Sequence, residues 1–189
     1  MTAFVSIDPS TGERFASYPA LDAVQIDRAL DAARACFDAW QREGIAERVA
    51  PLWRVAELLE ARKEAYALLM AREMGKPLQE GRAEILKCAS VCRYYAQEAS
   101  AMLADEPRPS DAARSYVSHR PLGVVLGIMP WNFPFWQAIR FCAPTLAAGN
   151  NPRLKTIESL GVNVFDLLKY DQVVFSKDAV LALQEVVKP

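Results

Sequence analysis

Histidine is nearly absent from this 189-residue chain; His119 is the only one. Of the four cysteines, Cys36, Cys88, Cys92 and Cys142, Cys88 and Cys92 share a helix face, and two thiols with one histidine fall short of the four ligands of a structural zinc centre, so no metal site is expected. The cysteines do not form a disulfide framework either, and a reduced, cytoplasmic setting is the default. An excess of charge of one sign is also lacking. Lys+Arg 22 stand against Asp+Glu 23, a net −1, which gives no general attraction to nucleic acid or to an anionic membrane. No apolar run approaches the roughly 20 residues of a membrane span. The opening MTAFVSIDPSTGERF has no basic stretch followed by an apolar core, so no signal peptide is read there. Internal repeats and low-complexity tracts are missing.

What is present is globular. Apolar residues make up 52% and charged residues 24%, the mix of a packed domain rather than a disordered chain, and the length suits one domain or one and a small part. Phe4–Ile7 and Arg14–Tyr18 alternate around the turn residues Asp8-Pro9-Ser10-Thr11-Gly12, which predicts a β-hairpin over Ala3–Ala20. Asp22 is placed to cap a helix from Ala23 to about Arg42 whose apolar face is Ile26, Ala29, Leu30, Ala33, Phe37 and Trp40. A second helix is expected over Ala46–Glu60, with Val49, Leu52, Trp53, Ala56 and Leu59 inward. A third, Lys63–Met74, stops at Gly75-Lys76-Pro77. A fourth, Leu78 to about Leu103, turns Ile85, Ala89, Cys92, Tyr95 and Ala99 to one side. Glu106–Asp111 reads as a loop and Ala113–His119 as a strand, with His119 an exposed strand residue rather than a base.

The chain centres on Pro121–Asn150. Val124–Met129 is an apolar run of strand length, suited to a strand covered on both faces of a parallel sheet. Asn132 follows just past its C-terminal end, where open α/β sheets bind ligands. Pro134 suits the first turn of a helix, Phe135–Ala148 reads as that helix, and Gly149-Asn150 as its stop. Cys142 sits within this apolar helix, an environment that raises a thiol pKa and leaves it inert; Cys88 and Cys92, at i and i+4, read as packing. Trp131 and Trp136, taken alone, read as core or oligomer surface rather than a base-stacking platform.

The wording PWNFPFWQ followed by PTLAAGN resembles the aldehyde dehydrogenase superfamily, in particular its succinate-semialdehyde dehydrogenase branch. Ala16–Trp40, AREMGKPLQEGRAEILKCASVCRYYAQEA (Ala71–Ala99) and Arg114–Gln137 carry the same likeness in the same order, from Met1 to about Asn150. The resemblance implies oxidation of a small aldehyde with NAD or NADP as cofactor. It makes Asn132 the amide that helps hold the oxyanion in catalysis, and it puts Trp131 and Lys155 on the cofactor side, Lys155 as the lysine that touches the cofactor ribose. It also implies dimers or tetramers built through elements such as Phe4–Ala16 and Ser115–His119, hence self-association. The family's glycine-rich G-x-x-x-x-G turn, its glutamate motif and its G-Q-x-C cysteine are missing from the sequence, so a truncated region, inactive alone, is expected.

After Asn150 the text changes. Gly161–Leu168 and Asp171–Ala179 resemble the C-terminal end of large-subunit ribosomal protein four, over about 152–187. That likeness implies a ribosomal, RNA-binding structural protein as the alternative function. Residues 151–189 hold five Lys/Arg and five Asp/Glu, and a neutral tail lacks the electrostatics that phosphate binding needs. A designed chimera, a recombination event or an assembly error would each produce such a join. Leu154–Ile157 and Gln172–Phe175 are expected strands; Asn163, with Asp166, and Ser176 are placed as caps of short helices. The whole is read as α/β, with a hairpin and helices followed by a small parallel βαβαβα (Rossmann-like) sheet. Its domains are a dehydrogenase-like region, 1–150, and a βαβα tail, 151–189.

Overall fold

A computed structural model of the chain describes residues 3–156 and 173–175. β1 (Ala3–Ile7) and β2 (Arg14–Pro19) pair antiparallel. Their turn is held by the Asp8 carboxylate, which accepts the Ser10 N–H at 2.9 Å and the Ser10 hydroxyl at 2.6 Å. α1 (Ala23–Trp40) opens on a capping box: Asp22 Oδ1 accepts the Gln25 N–H at 2.8 Å, and Gln25 Oε1 accepts the Asp22 N–H at 3.0 Å, so two orphan donors of the first turn are satisfied. Its inward face is the one the periodicity gives, with Ala33 buried and Ile26, Ala29, Leu30, Phe37 and Trp40 half-buried. In α2 (Ile45–Ala61), Leu52, Ala56 and Leu59 are buried. Trp53, expected beside them, is 37% exposed, because one residue past Leu52 the helix has turned by about 100°.

α3 (Lys63–Met74) ends at Gly75, whose φ of 71° is left-handed and whose N–H reaches Ala71 O at 2.9 Å, the stop that a glycine supplies without steric cost. α4 (Leu78–Met102) is the spine of the molecule, packed on α2 and α3 and on the helix Pro134–Ala147. Ile85, Cys88, Ala89, Cys92 and Ala99 on its inner face join Leu52, Ala56, Leu59 and Met70 in one buried cluster. β3 (Glu106–Pro107) and β4 (Tyr116–Val117) make a two-residue antiparallel ladder. The strand expected over Ala113–His119 is therefore much shorter, and part of the expected loop is its partner. Pro107 and Pro109 have no N–H to give, so pairing stops after the Arg108 N–H to Ser115 O bond of 2.8 Å.

β5 (Val124–Met129) is buried from Val125 onward. α5 (Pro134–Ala147) begins with Pro134 in its first turn. It ends with the Gly149 N–H on Leu146 O and the Asn150 N–H on Thr145 O, both at 3.0 Å, around a Gly149 φ of 83°, which is a Schellman closure. The buried Asn150 then turns its side-chain oxygen back to accept the N–H groups of Leu122 at 2.6 Å and Gly123 at 3.0 Å. β6 (Asn151–Thr156) starts there and pairs with β5 in parallel, Val124 opposite Asn151. β7 (Val173–Phe175) pairs in parallel on the other side, giving the order β6-β5-β7. α1 and α5 both pack on this sheet. At Gly127 the approach is so close that a Cβ would lie 2.8 Å from Phe141 Cε1. The chain is thus mixed α/β. The helices expected at 163–169 and 177–187, with their caps Asn163 and Ser176, lie outside the described residues. Among the described residues no helix is long and apolar enough to cross a membrane.

Candidate functional site

β5 ends at Met129, and the turn Trp131–Phe133 carries the chain into α5. Asn132 is exposed on this turn and lines a cleft of about 440 Å³. One wall is α4, through Glu80, Glu84 and Lys87; the other is the start of α5, through Trp136, Gln137 and Arg140. The Lys87 ammonium lies 3.9 Å from the centroid of the Trp136 ring, a cation–π contact that holds it at the cleft wall. Gln137 is 5% exposed, and its Oε1 has no hydrogen-bond partner among the described residues. Among the described residues the Asn132 side-chain amide makes no hydrogen bond, and its backbone carbonyl is met by Lys76.

Beneath the turn lies a buried ion pair. Lys76, in the link between α3 and α4, and Glu84, on α4, are 6% and 4% exposed and paired through Nζ and Oε2. Glu84 Oε1 accepts the backbone N–H of Trp136 at 2.9 Å. With Phe133 as the N-cap residue, that N–H is one of the orphan donors of the first turn of α5, and a carboxylate there also complements the helix dipole. Lys76 Nζ sits 3.8 Å from the Phe133 ring centroid and 3.5 Å from Asn132 O. Sequence reading passed over both residues, because a lone Lys or Glu is normally a solvated charge. A signal was present: Glu84 stands at i, with Cys88 and Cys92 at i+4 and i+8, on the stripe that faces the core.

The thiols are accounted for. Burial raises Cys88 to about 12 and Cys92 and Cys142 to about 11. The neighbouring Glu84 carboxylate adds to the shift at Cys88. Cys36 is exposed on α1, away from the cleft-lining residues. His119 is exposed and lies just outside β4. Of the residues singled out for the site, Asn132 opens on the cleft. Trp131 is 37% exposed on the same turn and is not among the cleft-lining residues. Lys155 stands opposite Ile128 in the β5–β6 ladder, one position from the end of β6, at the sheet end from which the Asn132 turn departs.

The model of the aldehyde dehydrogenase family matches residues 1–169. The chain belongs to the aldehyde dehydrogenase family. The match does not stop near Asn150; it runs across the first part of the stretch read as ribosomal, and that ribosomal likeness gains no support from the comparisons. A succinate semialdehyde dehydrogenase (NAD(P)+) of Escherichia coli is 42% identical over 154 residues, 82% of this chain and 33% of the relative. Succinate-semialdehyde dehydrogenase (NADP+) 1 of Mycobacterium tuberculosis is 44% identical over 155 residues, 79% of this chain and 34% of the relative. The crystal structure of succinic semialdehyde dehydrogenase from Streptococcus pyogenes with NADP+ superposes with a TM-score of 0.78 at 29% identity, covering 95% of this chain and 42% of that one. This aldehyde dehydrogenase chain spans about a third of the length of the curated relatives it matches.

Proposed function

We propose that the chain forms the aldehyde-facing part of an NAD(P)-linked succinate-semialdehyde dehydrogenase, with Asn132 as its oxyanion donor and with Trp131 and Lys155 on the cofactor side. The observation that carries this reading is the presence, in the lining of one cleft, of the Asn132 amide with two cations, Arg140 and Lys87. Succinate semialdehyde has an oxygen at each end. One is the aldehyde oxygen, on which negative charge develops when a nucleophile adds; the other end is a carboxylate. The Asn132 N–H suits the first, and an amide aimed at a developing oxyanion is worth about 3 kcal/mol in comparable sites. Arg140 suits the second, because a guanidinium presents a fork of donors to a carboxylate. Gln137, beside them, supplies a further polar group able to meet a ligand.

Trp131 and Lys155 are the residues that would lie toward a nicotinamide cofactor, which would supply hydride-accepting chemistry. The strand end that carries Lys155 fits the rim of such a site, but the sequence has no glycine-rich turn for a pyrophosphate. On the aldehyde side, Asn132 donates, Arg140 anchors, and the wall of α4 against α5 orients. The 1–150 and 151–189 division is retained in this reading as a dehydrogenase region and a tail whose described strands, β6 and β7, flank β5. Titration of the isotope-labelled chain with succinate, the carboxylate product, tests the assignment. The expected result is perturbation of the Asn132 side-chain amide and the Arg140 Nε–H, with binding weakened about ten-fold by Arg140→Ala. Perturbations confined to surfaces away from the cleft would refute it.

A further inference from the structure

We infer that the buried Lys76–Glu84 pair is a positioning device for Asn132, one that sets where the oxyanion donor stands rather than one that holds the fold together. The inference rests on the functional reading only for its purpose; its geometry is independent of any substrate. Three contacts converge on the five-residue span Asn132–Trp136. Lys76 meets the Asn132 carbonyl at 3.5 Å and covers the Phe133 ring at 3.8 Å. Glu84 takes the Trp136 N–H at 2.9 Å. The pair thus grips the backbone of the donor residue, the side chain after it and the first turn of the helix behind it, from two different elements.

Stability alone gives a weak reason for such a pair. Both groups are nearly sealed from water, and a buried ion pair is often replaceable by apolar side chains of similar size with no loss of stability. What apolar replacements cannot do is accept the Trp136 N–H or attract the Asn132 carbonyl. The turn would then be held at its ends only, by β5 and by the body of α5. An exposed asparagine on such a turn has a range of positions open to it, and an oxyanion donor is effective only when its distance to the reacting oxygen is fixed. Lys76 and Glu84 act through Asn132 and the α5 terminus; they touch no reacting atom.

The test uses the full chain with two variants. In Glu84→Gln the carboxamide oxygen still accepts the Trp136 N–H, so exchange protection of that amide is expected to stay within about two-fold of the parent. In the apolar double variant Lys76→Met with Glu84→Leu, Trp136 protection is expected to fall by about ten-fold or more while amides in the middle of α4 keep theirs. The Asn132 side-chain resonance should move, and the melting temperature should hold or rise. Succinate affinity at the cleft should weaken by about ten-fold in the double variant and much less in Glu84→Gln. A parent chain that takes no succinate refutes the substrate reading but leaves the exchange and resonance results to decide the positioning role. An unchanged Trp136 amide and Asn132 resonance in the double variant would overturn the inference, and so would an equal loss of protection throughout α4 and α5. Should the double variant not fold, the pair is structural and the inference likewise fails.

Discussion

Cys88, Cys92 and Cys142 keep their protons far into the alkaline range because their thiolates would be stranded among apolar side chains. At neutral pH fewer than about one in a thousand of such thiols is ionised, so none serves as the nucleophile that attacks an aldehyde. The linkage runs in one direction. Unfolded, these thiols titrate near the ordinary value of 9.0; folded, they hold their protons to about 11 or 12. Stability is therefore whole below the unfolded value and is lost as pH rises toward the folded one. The melting temperature is expected to fall by roughly 5 °C or more between about pH 8 and about pH 10.5. A thiol reagent at neutral pH should modify Cys36 first and the other three only on unfolding. A flat alkaline stability profile, read by circular dichroism, would contradict this. At the acid end the sign reverses. Glu60, drawn down by the Arg93 guanidinium, Glu64, drawn down by that of Arg82, and Asp8, held by Ser10, each favour the folded state above their ordinary range and less as pH falls.

Among the elements, β5 and α5 approach closely at Gly127. Replacing Gly127 by alanine puts a methyl group where the Phe141 ring already lies, and overpacking of this kind costs about 1–3 kcal/mol. A drop of that size in urea-unfolding free energy, together with a shift of the Asn132 resonances, is expected for Gly127→Ala, since α5 must move outward and it begins at the Asn132 turn. The helices themselves were legible from three- and four-residue apolar spacing and from Asp22, Gly75 and Gly149 at their ends. Those signals are local. The two-residue ladder of Glu106–Pro107 with Tyr116–Val117 was not legible, because its length is set by which backbone N–H groups the prolines leave available to a distant strand. Asn132 could be read from its place after a buried strand and from the wording around it. Glu84 left a trace in its place on the core-facing stripe of α4, but its pairing with Lys76 did not, because that contact takes its meaning from a third element inserted beside it. The cations Arg140 and Lys87 were missed for a related reason: on a helix they look like any solvated charge until a facing wall makes a cleft of them.

For the molecule as a whole, two outcomes are expected in solution. The purified chain should not reduce NAD or NADP with succinate semialdehyde, because no ionisable cysteine lines the cleft with Asn132; loss of one essential member of such machinery costs orders of magnitude. Turnover above a no-enzyme control, abolished by Cys142→Ala, would overturn that expectation. Self-association is the second. Phe4 and Tyr18 on the β1–β2 hairpin, and Leu122 ahead of β5, are 66%, 53% and 70% exposed, and a two-stranded sheet has both edges open to further pairing. Light scattering during size-exclusion chromatography should show mass above the monomer at micromolar concentration; a lone monomeric peak with a sharp thermal transition would contradict this.

The Asn150 clamp has a consequence in time. Its side-chain oxygen ties the end of α5 to Leu122 and Gly123, 28 and 27 residues back, so it places the first residues of β5 and β6 opposite one another. Loop-closure entropy grows with separation, and this closure is shorter than the one that pairs Leu126 with Val173. During refolding, β5, α5 and β6 are therefore expected to zip as one nucleus, with β7, reached only after a longer excursion of the chain, docking on the finished edge. Asn150→Ala should accordingly slow the folding arm of a chevron more than it hastens the unfolding arm.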